Sequence, residues 1–257
     1  MNKIILNDVS NWIKDYAQSA DLDTLVVGVS GGVDSSVVSS LCAKTGMPTI
    51  VLNMPINSKP ENTELSSLHC QWLCDNHENV CQLVVDLSDM FELLSAKMIS
   101  KNLENQLANA NSKARLRMVT LYHTATALNG IVVGTGNKVE DFGVGFYTKY
   151  GDGGVDISPL ADMTKTQVRE AAKLLGVSDQ IIMAPPTDGL WEDSRTDESQ
   201  IGASYEELEW AMEYTESVHT VDLTERQHEI LKIYNAFHNK NKHKMVGIPI
   251  FKMPRKD

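Results

Sequence analysis

Residues Leu25 to Val29 form an unbroken apolar run, followed at once by Ser30-Gly31-Gly32 and then a helix signal over Ser35–Lys44. A short apolar run bounded by turn residues reads as a buried strand of a parallel sheet. A strand, a glycine turn and a helix start in that order make an anion site. The first N–H groups of a helix lack intrahelical partners, and the helix dipole is positive at that end. Gly31 and Gly32 let backbone come close to a phosphate, while Ser30, Ser35 and Ser36 add hydroxyl donors. Asp34, at the start of the helix, can cap it or hold a cation that the phosphates bring.

No Lys follows the glycines, so this is not the nucleotide loop that ends in Gly-Lys-Ser/Thr. Ser30-Gly31-Gly32-Val33-Asp34-Ser35 instead resembles the pyrophosphate loop of the ATP pyrophosphatase superfamily. The resemblance implies an enzyme that cleaves ATP between its α and β phosphates to adenylate a substrate.

Strand signals recur at Pro48–Met54, Val80–Asp86 and Ile131–Gly134. Helical patterns lie between them, at Asn62–His77 and over Asp89–Thr126, the latter broken around Lys101–Gln106. Alternating strands and helices predict an α/β fold: a parallel sheet flanked by helices on both faces. The superfamily resemblance implies the adenine-nucleotide α-hydrolase-like (PP-loop) version of it. Ligands in such sheets bind at the carboxyl ends of the strands. The loops Ser30–Ser35, Pro55–Lys59 and Thr135–Glu140 each follow a strand, so they are expected at one edge. An amphipathic helix is predicted from about Asp8, and others at Thr164–Leu175, Tyr205–Thr215 and Thr224–Asn239. Thr164 is placed to cap the first of these three and Gly176 to end it. The stretch 135–160 is rich in Gly, Asp and aromatics and has no clean period. With no repeat or long linker, the 257 residues are expected to form one domain.

The net charge of −11 argues against a nucleic-acid surface, which would carry a basic patch. It leaves room for a phosphorylated ligand in a pocket with local Lys and Arg. No apolar run approaches the ~20 residues of a membrane span. No signal peptide is legible at the N-terminus. Cys42, Cys70, Cys74 and Cys81 lack the close pairing of a zinc site and read as reduced thiols, so a cytoplasmic location is expected.

A second constellation is Gly134-Thr135-Gly136-Asn137-Lys138-Val139-Glu140. In a parallel sheet, Glu140 after the fourth strand shares an edge with Asp34 after the first. Two carboxylates facing a triphosphate suit Mg²⁺, which takes one or two protein carboxylates plus phosphate oxygens and water. Thr135 can donate to a base or ribose. Lys149 and Asp152 lie in Gly145–Asp156, a loop whose glycines permit close approach to a ligand. Either residue taken alone reads as a solvated charge, but the density of Gly beside aromatics argues for an ordered loop.

Together, the GTGNKVE element, Gly145-Phe146-Tyr147-Thr148-Lys149-Tyr150-Gly151-Asp152-Gly153-Gly154 and the pyrophosphate loop are similar to the NAD synthetase family, from about Leu25 to Lys244. That resemblance implies ATP-dependent amidation of deamido-NAD by ammonia through an acyl adenylate, with AMP and pyrophosphate released. It implies that ATP lies on Gly28, Val29, Ser30, Gly31, Gly32, Val33, Asp34 and Ser35, with contacts from Thr135, Lys165 and Thr187. Asp34 and Glu140 would hold Mg²⁺. Arg115, Lys149, Asp156, His243 and Lys244 would contact deamido-NAD, and Asp152 would orient ammonium or accept its proton. The family also implies a homodimer with deamido-NAD at the subunit interface.

Local readings stand beside these. Lys113, Arg115 and Arg117 are equally a solvated helix face, and His243-Lys244 sits in a basic run. Lys165 falls in the first turn of a helix, where its charge opposes the dipole, which favours a ligand. The chain leaves no room for a glutamine-hydrolysing domain, so glutamine is not expected to replace ammonia. The alternative is another PP-loop adenylating enzyme, such as a tRNA-thiolating or base-modifying one. The acidic charge and the absence of Cys-x-x-Cys count against it.

Overall fold

The structure, a computed structural model, describes residues 1–58, 60–186, 196–217 and 222–253, with side chains of 60–62 excluded. Thr187 therefore lies outside the described residues.

Four strands, β1 (Thr24–Gly28), β2 (Thr49–Asn53), β3 (Val80–Val84) and β4 (Gly130–Val132), form one parallel sheet in the order β3-β2-β1-β4. Around it run α1 (Lys3–Ser19), α2 (Val33–Lys44), α3 (Pro60–Asn76), α4 (Ser88–Ile99) and α5 (Gln106–Ala127). The chain steps outward from β1 to β2 to β3, then returns through α4 and α5 to place β4 on the other side of β1. The direction of winding thus reverses between β1 and β4. Loops leaving the carboxyl ends of two such strands diverge to opposite faces and open a crevice, the usual ligand position in a doubly wound sheet.

Alternation along β1 explains why the sheet is covered on both sides. Leu25 and Val27 pack into a cluster with α1, α2 and later helices, while Val26 joins Leu52, Val132 and Phe91 on the other face. Each fully buried Val or Leu contributes about 1.5–3 kcal/mol relative to exposure. Helix α2 lies between the sheet and other helices and is buried on nearly every side, Ser35, Ser36, Ser39 and Ser40 included. These hydroxyls are satisfied by carbonyls: Ser36 and Ser40 donate one turn back, to Gly32 at 3.0 Å and Ser36 at 2.7 Å.

Beyond β4 come a π-helix (Lys138–Val144), α6 (Lys165–Leu175), α7 (Asp179–Met183), α8 (Asp197–Ile201), α9 (Tyr205–Glu216) and α10 (Glu225–Met245). The π-helix, α9 and α10 build a separate apolar cluster with Val139, Val144, Leu208, Met212, Ile230 and Tyr234. This packing brings the C-terminal helices against the crevice.

Several boundaries differ from the sequence reading. Helix α1 starts at Lys3, not near Asp8: the Asn2 side chain accepts from Ile5 N at 3.0 Å, and the buried stripe already begins at Leu6. Helix α10 continues past Asn239 to Met245, because Lys242, His243 and Lys244 complement its dipole and no Gly or Pro interrupts before Gly247. The aperiodic stretch after β4 contains the π-helix, whose i→i+5 bonding gives no 3.6-residue signal. The expected break in the long helical segment is present: Asn102 adopts φ 58° and Asn105 caps α5 by accepting from Ala108 N at 2.9 Å.

Candidate active site

The loop after β1 holds its shape through its own hydroxyls. Ser30 N donates to Ser35 Oγ at 3.2 Å, Gly32 N to Ser30 Oγ at 3.2 Å, and Ser35 Oγ to Gly32 O at 3.0 Å. Gly31 adopts φ +89°, and a Cβ there would lie 2.9 Å from Ser66 N, so a side chain meets both backbone strain and a steric block. Gly32 caps α2 without a side chain, so no cap side chain takes up the first-turn N–H groups. Gly28, Val29 and Val33 frame this loop, and Val29 and Val33 anchor it in the core.

Asp34 on α2, Glu140 on the π-helix and Lys165 at the start of α6 converge beside this loop. Lys165 Nζ donates to Asp34 Oδ2 at 2.5 Å and to Glu140 Oε1 at 2.8 Å. Lys165 is only 2 % exposed, a burial that a lysine sustains only when its charge is matched. Burial pushes its pKa down, but the two carboxylates outweigh this and raise it, so the side chain stays an ammonium. Helix α6 aims it: Thr164 and Gln167 form a capping box that fixes the first turn. The Glu140 carboxyl is held below its ordinary range: burial raises it, but Lys165 and the donors Tyr205 and Asn137 prevail. Burial instead raises Asp34, with Glu140 as a like charge adding to it against Lys165. Of this coupled pair, Glu140 has more donors and is the firmly ionised member.

Three further residues complete the cluster, and the sequence reading gave none of them a role. Asn137, fully buried, accepts from Val139 N and Glu140 N with Oδ1 and donates to Asp34 Oδ1 at 3.1 Å. The Tyr205 hydroxyl donates to Glu140 Oε1, and its ring lies 4.7 Å from Lys165 Nζ. Asp197 Oδ2 is 3.2 Å from the same hydroxyl. The local signal for Tyr205 was the Ser204…Glu207 capping box, which places a tyrosine at the first helical position. Asp141 packs its carboxyl against Gly136, where any Cβ would collide with it. Burial first, then Asp152, Glu140 and Asp34, raise its pKa well above the ordinary range, with Lys244 opposing.

The residues expected to touch the second substrate form a neighbouring chain of contacts. Arg115 donates from Nε and Nη2 to Lys149 O at 3.3 and 3.2 Å. Lys149 Nζ donates to His243 O at 2.9 Å, and Lys244 Nζ to Tyr147 O at 2.7 Å. The last turn of α10 thereby lies against the 145–154 loop. Asp152 is exposed there, with Oδ1 accepting from Thr148 N at 3.0 Å. Asp156 sits differently: its oxygens accept from Tyr122 Oη and Val132 N, both at 2.8 Å, so the carboxylate ties α5 to the end of β4. Thr135 is half-buried just beyond β4.

Asp34 and Glu140 fit a hard divalent cation: two carboxylates from different elements, turned inward, already sharing one cationic partner. Among the described residues no three His, Cys, Asp or Glu side chains are grouped as a metal site, so phosphate oxygens and water would complete the coordination. The four cysteines are free thiols, and burial pushes Cys70 up to about 12. No described helix is long and apolar enough to cross a membrane.

The profile of the family described as NAD synthase matches residues 5–246. The NH(3)-dependent NAD(+) synthetase of Carboxydothermus hydrogenoformans is 41 % identical over 202 residues, covering 77 % of this chain and 80 % of that protein. Among solved structures, the NMN synthetase from Francisella tularensis has a TM-score of 0.85 and 30 % identity, covering 98 % of both chains. The NH3-dependent NAD synthetase from Campylobacter jejuni has a TM-score of 0.78 and shares the fold, at 22 % identity over 98 % of this chain and all of that one. A PP-loop strand-turn-helix, inward-facing carboxylates at the point where the sheet reverses, and a family match over nearly the whole chain agree, and the chain belongs to the NAD synthase family.

Proposed function

We propose that this protein is a ligase that forms a C–N bond: it amidates deamido-NAD with ammonia at the expense of ATP. The observation that carries this reading is the Asp34–Lys165–Glu140 cluster, with Lys165 buried between the carboxylates, beside the glycine loop and within a NAD synthase fold. A carboxylate resists attack by ammonia. Its oxygen attacks the α phosphorus of ATP, pyrophosphate departs, and ammonia displaces AMP from the acyl adenylate. Phosphate charge is met by the N–H groups of residues 31–35, by the Ser30 and Ser35 hydroxyls and by Lys165. Mg²⁺ on Asp34 and Glu140 would supply Lewis-acid neutralisation of phosphate charge. Thr135 and Thr187 are assigned to ATP.

Arg115, Lys149, His243 and Lys244 give a basic wall for the phosphates of deamido-NAD, and Asp156, held by Tyr122 and Val132 N, is assigned to the same substrate. Asp152, exposed between this wall and the carboxylate cluster, takes the ammonium proton or orients ammonium. Incubation with ATP, Mg²⁺, ammonium and deamido-NAD is expected to give NAD, AMP and pyrophosphate in equal amounts. ATP bound but not cleaved would refute a ligase.

A second substrate is favoured by one observation, the 30 % identity to a structure named NMN synthetase. The same chemistry on nicotinate mononucleotide would give NMN. Comparing kcat/KM for the mono- and dinucleotide acids decides between them, and a preference of tenfold or more for the mononucleotide would replace the first reading.

We propose a homodimer as the working unit. Leu103, Leu107 and Val119, on and before the helix α5 that carries Arg115, are each about 60 % exposed in the single chain. Such a stripe is expected to be covered. Sedimentation at micromolar concentration should report about twice the 28.5 kDa chain mass. A fully active monomer would refute the dimer.

A further inference from the structure

Lys165 stands where the proposed function puts a divalent cation. Asp34 Oδ2 and Glu140 Oε1 are both engaged by its Nζ, at 2.5 and 2.8 Å. A metal ion on the same two carboxylates would compete with the ammonium for these oxygens and bring a second positive charge against it. Without the lysine, two carboxylates that are each only 16 % exposed would face each other with no cation between them. Its stem is enclosed, the Tyr205 ring covers Nζ on one side, and the capping box at Thr164 holds the helix that carries it.

We infer that Lys165 is a resident counter-cation: it neutralises Asp34 and Glu140 until Mg-nucleotide arrives, and then passes from the carboxylates to the phosphates as the metal takes its place. This rests on the reading of Asp34 and Glu140 as the metal carboxylates. The exchange makes and breaks no covalent bond. Metal alone has to push a buried ammonium away from the two carboxylates that balance it, which is costly. With nucleotide present, the anionic phosphates receive the ammonium. Metal and nucleotide therefore assist each other through one side chain, and by linkage each tightens the other by the same factor. The lysine holds the site shut to bare divalent ions and opens it to the metal–nucleotide pair.

The test is the binding of Mn²⁺ alone, followed by electron paramagnetic resonance, to the full-length wild-type protein and to Lys165→Gln. The variant is expected to bind Mn²⁺ at least tenfold more tightly, and adding Asp34→Ala to it should abolish the gain. Equal affinity in wild type and variant overturns the inference, as does binding to neither. Should Lys165→Gln not fold without metal, the wild type supplies the answer through acylation of lysines read by peptide mass spectrometry. Lys165 should be protected without metal and labelled several-fold faster as Mn²⁺ occupancy rises, while exposed Lys3 stays constant. Unchanged labelling at high Mn²⁺ occupancy overturns it. Neither measurement uses deamido-NAD or ammonia, so its failure leaves the ligase reading standing, and failure of the ligase assay leaves these measurements intact.

Discussion

Asn137 Nδ2 donates to Asp34 Oδ1 at 3.1 Å, joining the loop after β4 to the helix after β1 across 103 residues of chain. The other end of the same amide caps the π-helix, taking the N–H groups of Val139 and Glu140 at 3.2 and 3.1 Å. One buried side chain thus sets the distance between the two carboxylates. Asn137→Asp keeps the cap but turns a donor into an oxygen facing Asp34. A stability loss of about 2 kcal/mol or more is expected in urea unfolding. Wild-type stability in this variant would show that the amide bridge carries no weight.

Asp34→Ala and Glu140→Ala are expected to fold, because each leaves Lys165 one carboxylate partner. Both should lose turnover by about a hundredfold or more, the usual consequence of removing an electrostatic stabiliser from a charged transition state. Pyrophosphate release in the presence of ATP, Mg²⁺ and deamido-NAD measures this. Near wild-type rates from both would remove these residues from the catalytic centre.

Gly136 is small because Asp141 occupies the space a Cβ would need. Gly136→Ala should therefore cost about 1–3 kcal/mol from overpacking. Asp141→Ala empties that space, so the double variant should be more stable than the two single losses added together. A double-mutant cycle by thermal unfolding reads the coupling directly. Strict additivity would mean that the Asp141 carboxyl does not rest on Gly136 in solution.

His69 is buried on α3, with Nε2 3.0 Å from Ser39 Oγ and its ring stacked on Trp72. Burial pushes its pKa down to about 4, against a hydrogen bond from the ring to the Ser36 backbone that raises it. The unfolded chain takes up this proton near the ordinary value of about 6.5. Between these values the unfolded state binds more protons, so stability is full above pH 6.5 and falls as pH drops towards 4. The limiting loss is about 3 kcal/mol. His69→Gln should flatten the fall in stability between pH 7 and 5 relative to wild type. The comparison isolates His69 from His77, whose imidazole is also pushed down, by burial and then by Lys44. Parallel curves for the two proteins would contradict a neutral buried His69.

Much of the architecture was legible because its signals are local. The apolar run at Leu25–Val29 and the glycines after it gave β1 and the start of α2 within two residues. Thr164 and Gly176 marked both ends of α6, since caps are read from the residues that make them. The π-helix was not legible: its five-residue step matches neither a helical nor a strand period, and it is stabilised by Asn137 and by packing against α9 and α10. The start of α1 was misplaced for a different reason, because a polar Asn at position 2 in a chain terminus carries little weight until its cap to Ile5 N is seen.

By itself the sequence determined a parallel α/β sheet with a phosphate loop after its first strand, because period, turn chemistry and capping act over a few residues. It also placed Asp34 and Glu140 at the same sheet edge, because strands of one direction put their following loops on one side. Only the tertiary structure decided that Lys165 stands between them. It lies 131 residues from Asp34 and 25 from Glu140, and a lysine in a first helical turn points locally to a ligand without saying which carboxylates it meets. Its burial depends on how α6 docks against α2 and on the approach of Tyr205 from α9. Charge pairing in a buried site is a property of three elements brought together, and no window along the chain contains all three.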